Sequence, residues 1–410
     1  MKPRVWIVSE LYYPEESATG YLLTRIAEGL APYYRVHVLC AQPTYDARGI
    51  RAPIVECHQQ VQIRRCVSTT LNKNFLLFRL LNVFTISVSI FFRGLITFRS
   101  DDVVLVVTNP PTLPFVTAAA CRIRRSKYVL VIHDVFPEAL TALGLARERS
   151  LLTRLMTWLN NTLYSHAQRV IVLGRDMREL VRRKNLRNDH RIVIVPNWAD
   201  VDIVRPQPRE ENQLLKELRL QTKFVLLYAG NIGLSHGIDN LFRAAVLLAG
   251  DDDFHFLFVG SGTKKRWLEQ SVADRGLRNI TILPNRPRSD QNNFLNACDA
   301  VLISYHSGMA GVSVPSRMYN VLAAGKPIIA VTDSHSELAR VVQEEDVGWV
   351  VRPDQPEALT AAIVDAKLRR RSTAAWIQRA RTAAEKKYTL THTIDQYRAV
   401  VDSVLSGHSA

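Results

Sequence analysis

The chain has 410 residues, 47% of them hydrophobic and 22% charged, a composition that excludes a disordered tail and leaves room for two cores. Lysine and arginine outnumber aspartate and glutamate by 53 to 38, giving a net charge of +15 and favouring phosphate-rich partners (small diphosphates, anionic lipid headgroups, nucleic acid) over a basic surface that only aids solubility. The basic residues are not interleaved with aromatic ones, so no nucleic-acid partner is expected, and the scattered Cys40, Cys57, Cys66, Cys121 and Cys298 form neither a zinc pattern nor a disulfide framework and fit a reducing compartment.

The opening MKPRVWIVSELYY runs from a short basic lead straight into a strand-like segment without a signal-peptide cleavage site, so export is not expected. Short apolar, β-branched runs then alternate with helical patterns, at 5–9, 36–40, 103–107, 128–132, 169–173 and 191–195. After an interruption they resume at 224–230, 254–260, 279–283, 300–304, 327–331 and 348–351. This is the signature of two α/β domains, each a doubly wound parallel sheet. The interruption at 204–223, with two prolines and a charged helical stretch, reads as a linker. The boundary is set near residue 205, giving domains over 1–205 and 206–390 and a C-terminal helix over 391–410 that is free to pack back on the first domain.

One stretch departs from the scheme. In FLLFRLLNVFTISVSIFFRGLITF (75–98), the apolar run between Arg79 and Arg93 falls short of the about 20 residues that span a bilayer. Two readings stand: a helix lying in the headgroup plane with its arginines snorkelling to phosphates, or a helix buried on the first sheet.

In open parallel sheets ligands lie beyond the carboxyl ends of the strands, so the loops there are the candidate sites. Ser17, Thr19 and Gly20 precede a helix, either as a plain capping turn or as a place where backbone amides approach a ligand. HDVFPEAL puts His133 at the end of a buried strand, able to donate or accept at neutral pH, with Asp134 beside it. GNIGLSHGIDNL, with Gly230, Gly233 and Gly237 opening a helix, suits a diphosphate resting on N–H groups and is not the dinucleotide fingerprint. Lys264 and Lys265 in VGSGTKK read as phosphate counter-charges or as a solvated helix start. The acidic runs 200–202 and 251–253 read as turns, and no metal or other cofactor is expected.

Taken in order, ELYYPEESATG, HDVFPE, VPNWADVD, YAGNIGLSHGIDNL, VGSGTKK and VPSRMYNVLAAGKPIIA resemble the blocks of the family-four retaining glycosyltransferases. The likeness lies with those that build bacterial O-antigen and capsule polysaccharides, near the fucosamine transferases. The resemblance implies a GT-B architecture, with two Rossmann-like domains facing across a cleft. A nucleotide sugar, UDP-linked by preference, would be held by the second domain and an acceptor by the first, and no metal would be needed. It places Gly20 near the donor phosphates, His133 and Asp134 by the sugar, and Gly230, Asn231 and Gly233 in the phosphate loop.

The family's Glu-x(7)-Glu pair falls here on Val312 and Asn320, and its Arg and Lys on Asn231 and His236, so the usual charged grip is missing. The expectation is that Ser313, Val314 and Ser316, the helix over 316–325, Arg317, Lys264 and Lys265 hold the diphosphate, while Asn320 bonds the ribose. The acceptor implied is a polyprenyl-diphosphate-linked saccharide at the anionic inner face of the cytoplasmic membrane, with the protein cytoplasmic and peripheral. Two alternatives stand beside this reading: a nucleotide-sugar 2-epimerase of the same architecture, and a non-catalytic membrane-associated subunit.

Overall fold

The computed structural model describes residues 2–43, 49–71, 75–184 and 189–407; residues 408–410 of the expected C-terminal segment lie outside them. The chain divides into two compact units: unit 1 is Met1–Glu138, Arg147–Pro196 and Thr391–Ala410, and unit 2 is Ala139–Ala146 and Asn197–Leu390.

Unit 1 is built on β1 (Arg4–Val8), β2 (Arg35–Cys40), β3 (Val55–His58), β4 (Val61–Arg65), β5 (Val103–Val107), β6 (Lys127–Val131), β7 (Arg169–Val172) and β8 (Ile192–Ile194). They lie in the order β3-β4-β2-β1-β5-β6-β7-β8. Every neighbour is parallel except β3 against β4. Strands such as β5, buried at all five positions, are covered on both faces, which is why the sequence shows them as unbroken apolar runs. The hairpin β3–β4 was not anticipated. Its turn residues Gln59 and Gln60 both have positive φ, 47° and 66°, a conformation normally flagged by Asn or Gly. Its inward positions include Arg65, whose guanidinium donates to the carbonyls of Pro53 and Tyr13 at 2.6 and 2.8 Å.

At the amino ends of the strands the buried Asp102 accepts from Arg4 Nε (2.8 Å), Trp6 Nε1 (2.9 Å) and the Arg99 N–H (2.9 Å), tying β1 to β5. Helix Leu390–Leu405 closes this unit. Tyr34 Oη donates to Asp402 at 2.6 Å, and Lys127 Nζ to the Val404 carbonyl at 2.7 Å.

The 75–98 segment forms helix Leu76–Thr97, 22 residues long or about 33 Å. By length and composition it is long and apolar enough to cross a membrane, which corrects the expectation of too short a span: the two arginines lie within the helix and do not end it. It packs on helix Leu113–Arg124, with Ser87 and Thr112 hydroxyls 2.8 Å apart. Its other side is open, Phe84 being 65% and Ile96 74% exposed, so it is not a core helix.

Unit 2 holds β9 (Phe224–Ala229), β10 (Phe254–Val259), β11 (Ile280–Leu283), β12 (Ala300–Ser304), β13 (Ile328–Val331) and β14 (Gly348–Val351). The order is β11-β10-β9-β12-β13-β14, parallel throughout. Asp299 pins the amino ends, accepting from the Val225 N–H (2.8 Å) and pairing with Arg209 and Arg370 (both 2.9 Å). The helix expected over 316–325 is shorter, Arg317–Ala323, and its residues from Met318 onward are all buried. Order reverses at β1/β5 in unit 1 and at β9/β12 in unit 2, the switch points where open sheets bind ligands.

His37 and His255 are both held neutral, their pKa lowered to about 4. Burial is the main cause in each, with Arg4, Arg64 and Arg35 adding to it at His37 and Lys223 at His255. A folded-state pKa below the unfolded 6.5 means the unfolded chain takes the proton first, so stability present above pH 6.5 drains away as pH falls toward 4. The urea midpoint should drop across that window, and His37→Gln/His255→Gln should flatten the slope; an unaltered slope would show that neither imidazole is linked to folding.

Candidate active site

In unit 2 the loops after β9 and β10 interlock through backbone bonds. Gly230 N–H donates to Val259 O (2.9 Å), Ile232 N–H to Ser261 O (2.8 Å) and Lys264 N–H to Ile232 O (2.9 Å). The approach is so close that a Cβ on Gly260 would fall 1.9 Å from the Gly230 carbonyl oxygen, and one on Gly262 2.4 Å from that of Ile232; only glycine fits. Tyr228, fully buried in β9, donates its hydroxyl to Asn231 O at 2.6 Å, fixing the loop from below.

Arg317 binds this loop to the helix it begins. Its Nη1 donates to the Ala229 carbonyl at 3.1 Å, its guanidinium carbon lies 4.9 Å from the Tyr228 ring centre, and a Cβ on Gly230 would meet Nη1 at 2.8 Å. The residue is half-buried, its guanidinium lying beside the Tyr228 and Tyr305 hydroxyls, and it stays charged. Beside it His236 stacks on Tyr305, ring centres 5.3 Å apart. Burial, then the charges of Arg317 and His306, push the His236 pKa well down, so this ring is neutral. The sequence pointed to His236 only as the place of a missing lysine and did not point to Tyr305 at all.

The other expected donor residues divide. Gly233, Asn231 and Gly230 lie together in the loop, a Cβ on Gly233 being 2.8 Å from Asn231 Nδ2. Lys264 carries its ammonium to Asp239 and over the Trp267 ring (4.7 Å), and Lys265 pairs with Glu269 at 3.7 Å; both are helix-start residues with acidic partners and not free counter-charges. Ser316 is the N-cap residue of helix Arg317–Ala323 without a side-chain capping bond, Ser313 is partly exposed and Val314 is buried.

Asn320 is buried and occupied. Its Oδ1 accepts from the Asp200 N–H (2.7 Å) and its Nδ2 donates to Asp200 Oδ2 (3.3 Å). Asp200, read from sequence as a plain turn residue, also accepts from Trp198 Nε1 at 3.2 Å and faces Arg288 at 3.9 Å. A carboxylate thus stands beside position 320 after all, from a residue 120 positions earlier. Asp333, likewise not anticipated, accepts from the N–H groups of Gly308 (3.0 Å) and Ala310 (3.2 Å) and shapes the loop after β12.

In unit 1 Ser17 caps helix Ala18–Leu30, its hydroxyl accepting from the Gly20 N–H at 3.4 Å. A Cβ on Gly20 would lie 2.8 Å from the Glu15 carbonyl oxygen, so the turn is folded tightly onto the helix start. His133 and Asp134 follow β6, and both their N–H groups donate to the Thr108 hydroxyl (3.1 and 3.3 Å), which follows β5. Burial lowers the His133 pKa to about 4, leaving a neutral imidazole. The loop is held from outside by the buried Lys184, which donates to Phe136 O (3.2 Å) and pairs with Glu138 (2.6 Å).

Residues 19–198 match the family described as glycosyl transferase 4-like domain, and residues 210–383 match glycosyl transferases group 1. A probable glycosyltransferase of Pseudomonas aeruginosa, WbjE, is 31% identical over 368 residues, 88% of either chain. The chain belongs to the group 1 glycosyltransferases. A putative colanic acid biosynthesis glycosyl transferase of Escherichia coli K12, WcaI, is 26% identical over 87% of this chain and 90% of its own. The sucrose-phosphate synthase of Thermosynechococcus elongatus matches 99% of this chain and 100% of its own with a TM-score of 0.79 at 14% identity. Anabaena HepE in complex with UDP-glucose matches 98% and 100% with a TM-score of 0.74 at 16%. Likeness at such identities shows the fold, which is that of the GT-B glycosyltransferases.

The interlocked loops give a direct test. Gly260→Ala should destabilise unit 2 by on the order of 3 kcal/mol, whereas Gly250→Ala, with nothing within 4 Å of the added Cβ, should be near neutral; equal urea midpoints for the two variants would contradict the packing.

Proposed function

We propose that this glycosyltransferase is a retaining, metal-independent enzyme that moves a sugar from a nucleoside-diphosphate donor, UDP by preference, to a polyprenyl-diphosphate-linked saccharide during surface-polysaccharide assembly. The observation that carries the donor half is the Arg317 guanidinium beneath the Gly230 loop. A fixed cation against a glycine loop, beside the sheet's switch point, is what a departing diphosphate requires. With Lys264 and Lys265 engaged by acidic partners, Arg317 takes the principal charge-neutralising role, supplemented by the backbone N–H groups of Asn231 and Gly233, those of Gly230 and Ile232 being spent on the interlock with the loop after β10.

Asn320 and Asp200 face the nucleoside ribose as a pair: the amide orients the carboxylate, and the carboxylate accepts from ribose hydroxyls as the absent glutamate of the family pattern would. His133, neutral at physiological pH, orients the transferred sugar while the acceptor hydroxyl attacks the face from which the diphosphate leaves. Asp134 serves the same side. Retention and metal independence are carried over from the family pattern. The relatives support the biosynthetic setting, WcaI being described as a colanic acid biosynthesis enzyme and WaaG, of the same fold at a TM-score of 0.66, as involved in lipopolysaccharide biosynthesis. The exposed apolar side of helix Leu76–Thr97 supports a peripheral position at the inner face of the cytoplasmic membrane.

Arg317→Ala should weaken UDP binding at least tenfold by calorimetry, and unchanged affinity would overturn the donor assignment. His133→Ala should lower kcat about a hundredfold with UDP affinity retained; full turnover would remove its role. Incubation with labelled nucleotide sugars should give transfer only when a lipid-linked acceptor is added, whereas an epimerised sugar formed without acceptor would favour the 2-epimerase reading.

A further inference from the structure

Helix Leu151–His166 of unit 1 is amphipathic in the inverse sense. Its buried positions are Thr153, Asn160, Leu163 and Tyr164, and two of these are polar, satisfied locally by Thr153 Oγ1 donating to Arg147 O and Asn160 Nδ2 to Met156 O, both at 2.8 Å. Facing outward at helical spacing stand Leu151 (82% exposed), Leu152, Leu155, Trp158 (63%) and Leu159. Solvated helices bury such a stripe; this one presents it.

The stripe continues onto a neighbour. Successive steps from β4 to β5, β6 and β7 run the same way along the sheet, so right-handed connections put helices Leu76–Thr97, Leu113–Arg124 and Leu151–His166 on one face. Helix Leu113–Arg124 packs on both of the others, and its Phe115 and Ala119 line a groove of about 350 Å³ together with Trp158 and Leu159. The outward residues of the three helices therefore form one apolar surface.

Charge identifies what covers it. The three helices contain no aspartate or glutamate, while Arg79, Arg93, Arg122, Arg124 and Arg154 lie within them and are all exposed. A second copy of the chain would set arginine against arginine, whereas an anionic bilayer offers acyl chains to the leucines and phosphates to the guanidinium groups. We propose that helix Leu151–His166 is a second docking helix, laying this helical layer, together with helix Leu76–Thr97, on an anionic membrane surface. The inference rests on the peripheral-membrane part of the proposed function and extends it to a named second element.

The test is flotation of the full chain with vesicles of phosphatidylglycerol and phosphatidylcholine, and with phosphatidylcholine alone. Wild type should float with the anionic vesicles and remain behind with the neutral ones. Leu152→Glu/Leu155→Glu should lower binding at least tenfold with UDP affinity and thermal midpoint unchanged, and Arg154→Gln should lower it about fivefold, which guards against a folding defect in the double variant. Brominated lipid should quench fluorescence in wild type more than in Trp158→Phe. If the double variant floats as wild type does while Phe84→Glu/Ile96→Glu does not, helix Leu151–His166 is no docking element although the membrane reading stands. If wild type ignores anionic vesicles, both fall. Equal flotation with neutral vesicles, or a wild-type dimer dispersed by Leu152→Glu/Leu155→Glu, would overturn the assignment of the surface to anionic lipid.

Discussion

A helix buried along its length must have its terminal polar groups satisfied in the interior, and in unit 2 that demand organises the site. From Met318 to Ala323 helix Arg317–Ala323 is enclosed by core. Its C-terminal carbonyl at Ala323 accepts from Arg381 Nη1 (3.0 Å), which also donates to the Val204 carbonyl at 2.6 Å, while Nη2 of the same guanidinium donates to the Val201 carbonyl at 2.7 Å. Its first residue, Arg317, reaches back to the carbonyl that ends β9. Two arginines thus fix the helix against the sheet, and because one of them borders the glycine loop, the groups that stabilise the unit are also those that shape its ligand-facing end.

The charged residues that the family pattern places at positions 231, 236, 312 and 320 are absent from this chain, and other groups stand at or beside those places. His236 is uncharged and stacked on Tyr305, and the cation bordering the loop is the Arg317 guanidinium, tied to it by the bond to the Ala229 carbonyl. Where the family pattern has an acid at position 320 this chain has an amide, bonded to Asp200 of a distant loop. The carboxylate near position 320 therefore stands on a loop, held by two hydrogen bonds with Asn320 and one from the Trp198 indole.

Among the described residues twelve of the fourteen strands were legible, because the central ones are β-branched or aromatic runs covered on both faces and the edge strands β8, β11 and β14, though only partly buried, keep the same apolar composition. The hairpin β3–β4 was not, because its alternation is carried by Arg65 and its turn by two glutamines. The glycine loops were legible for a steric reason that sequence preserves: no other residue allows the approach of Gly260 to Gly230. Partnerships made by folding were not. Nothing near Lys264 in the chain announces Asp239, nothing near Asn320 announces Asp200, and helix Leu151–His166, with most of its large apolar residues facing outward, has a periodicity that any buried helix would share.

Unit 1 is interrupted in the chain by unit 2 and finished only by helix Leu390–Leu405, through Tyr34 with Asp402 and Lys127 with Val404. During synthesis the first domain therefore leaves the ribosome without its last helix and waits for some two hundred further residues, while the segment 197–390 can pack as soon as it emerges. The order of completion is the reverse of the order of translation. The nascent first domain, with an unsealed side and an apolar helical layer, is the species in this protein's biogenesis with most need of a chaperone or an early lipid surface.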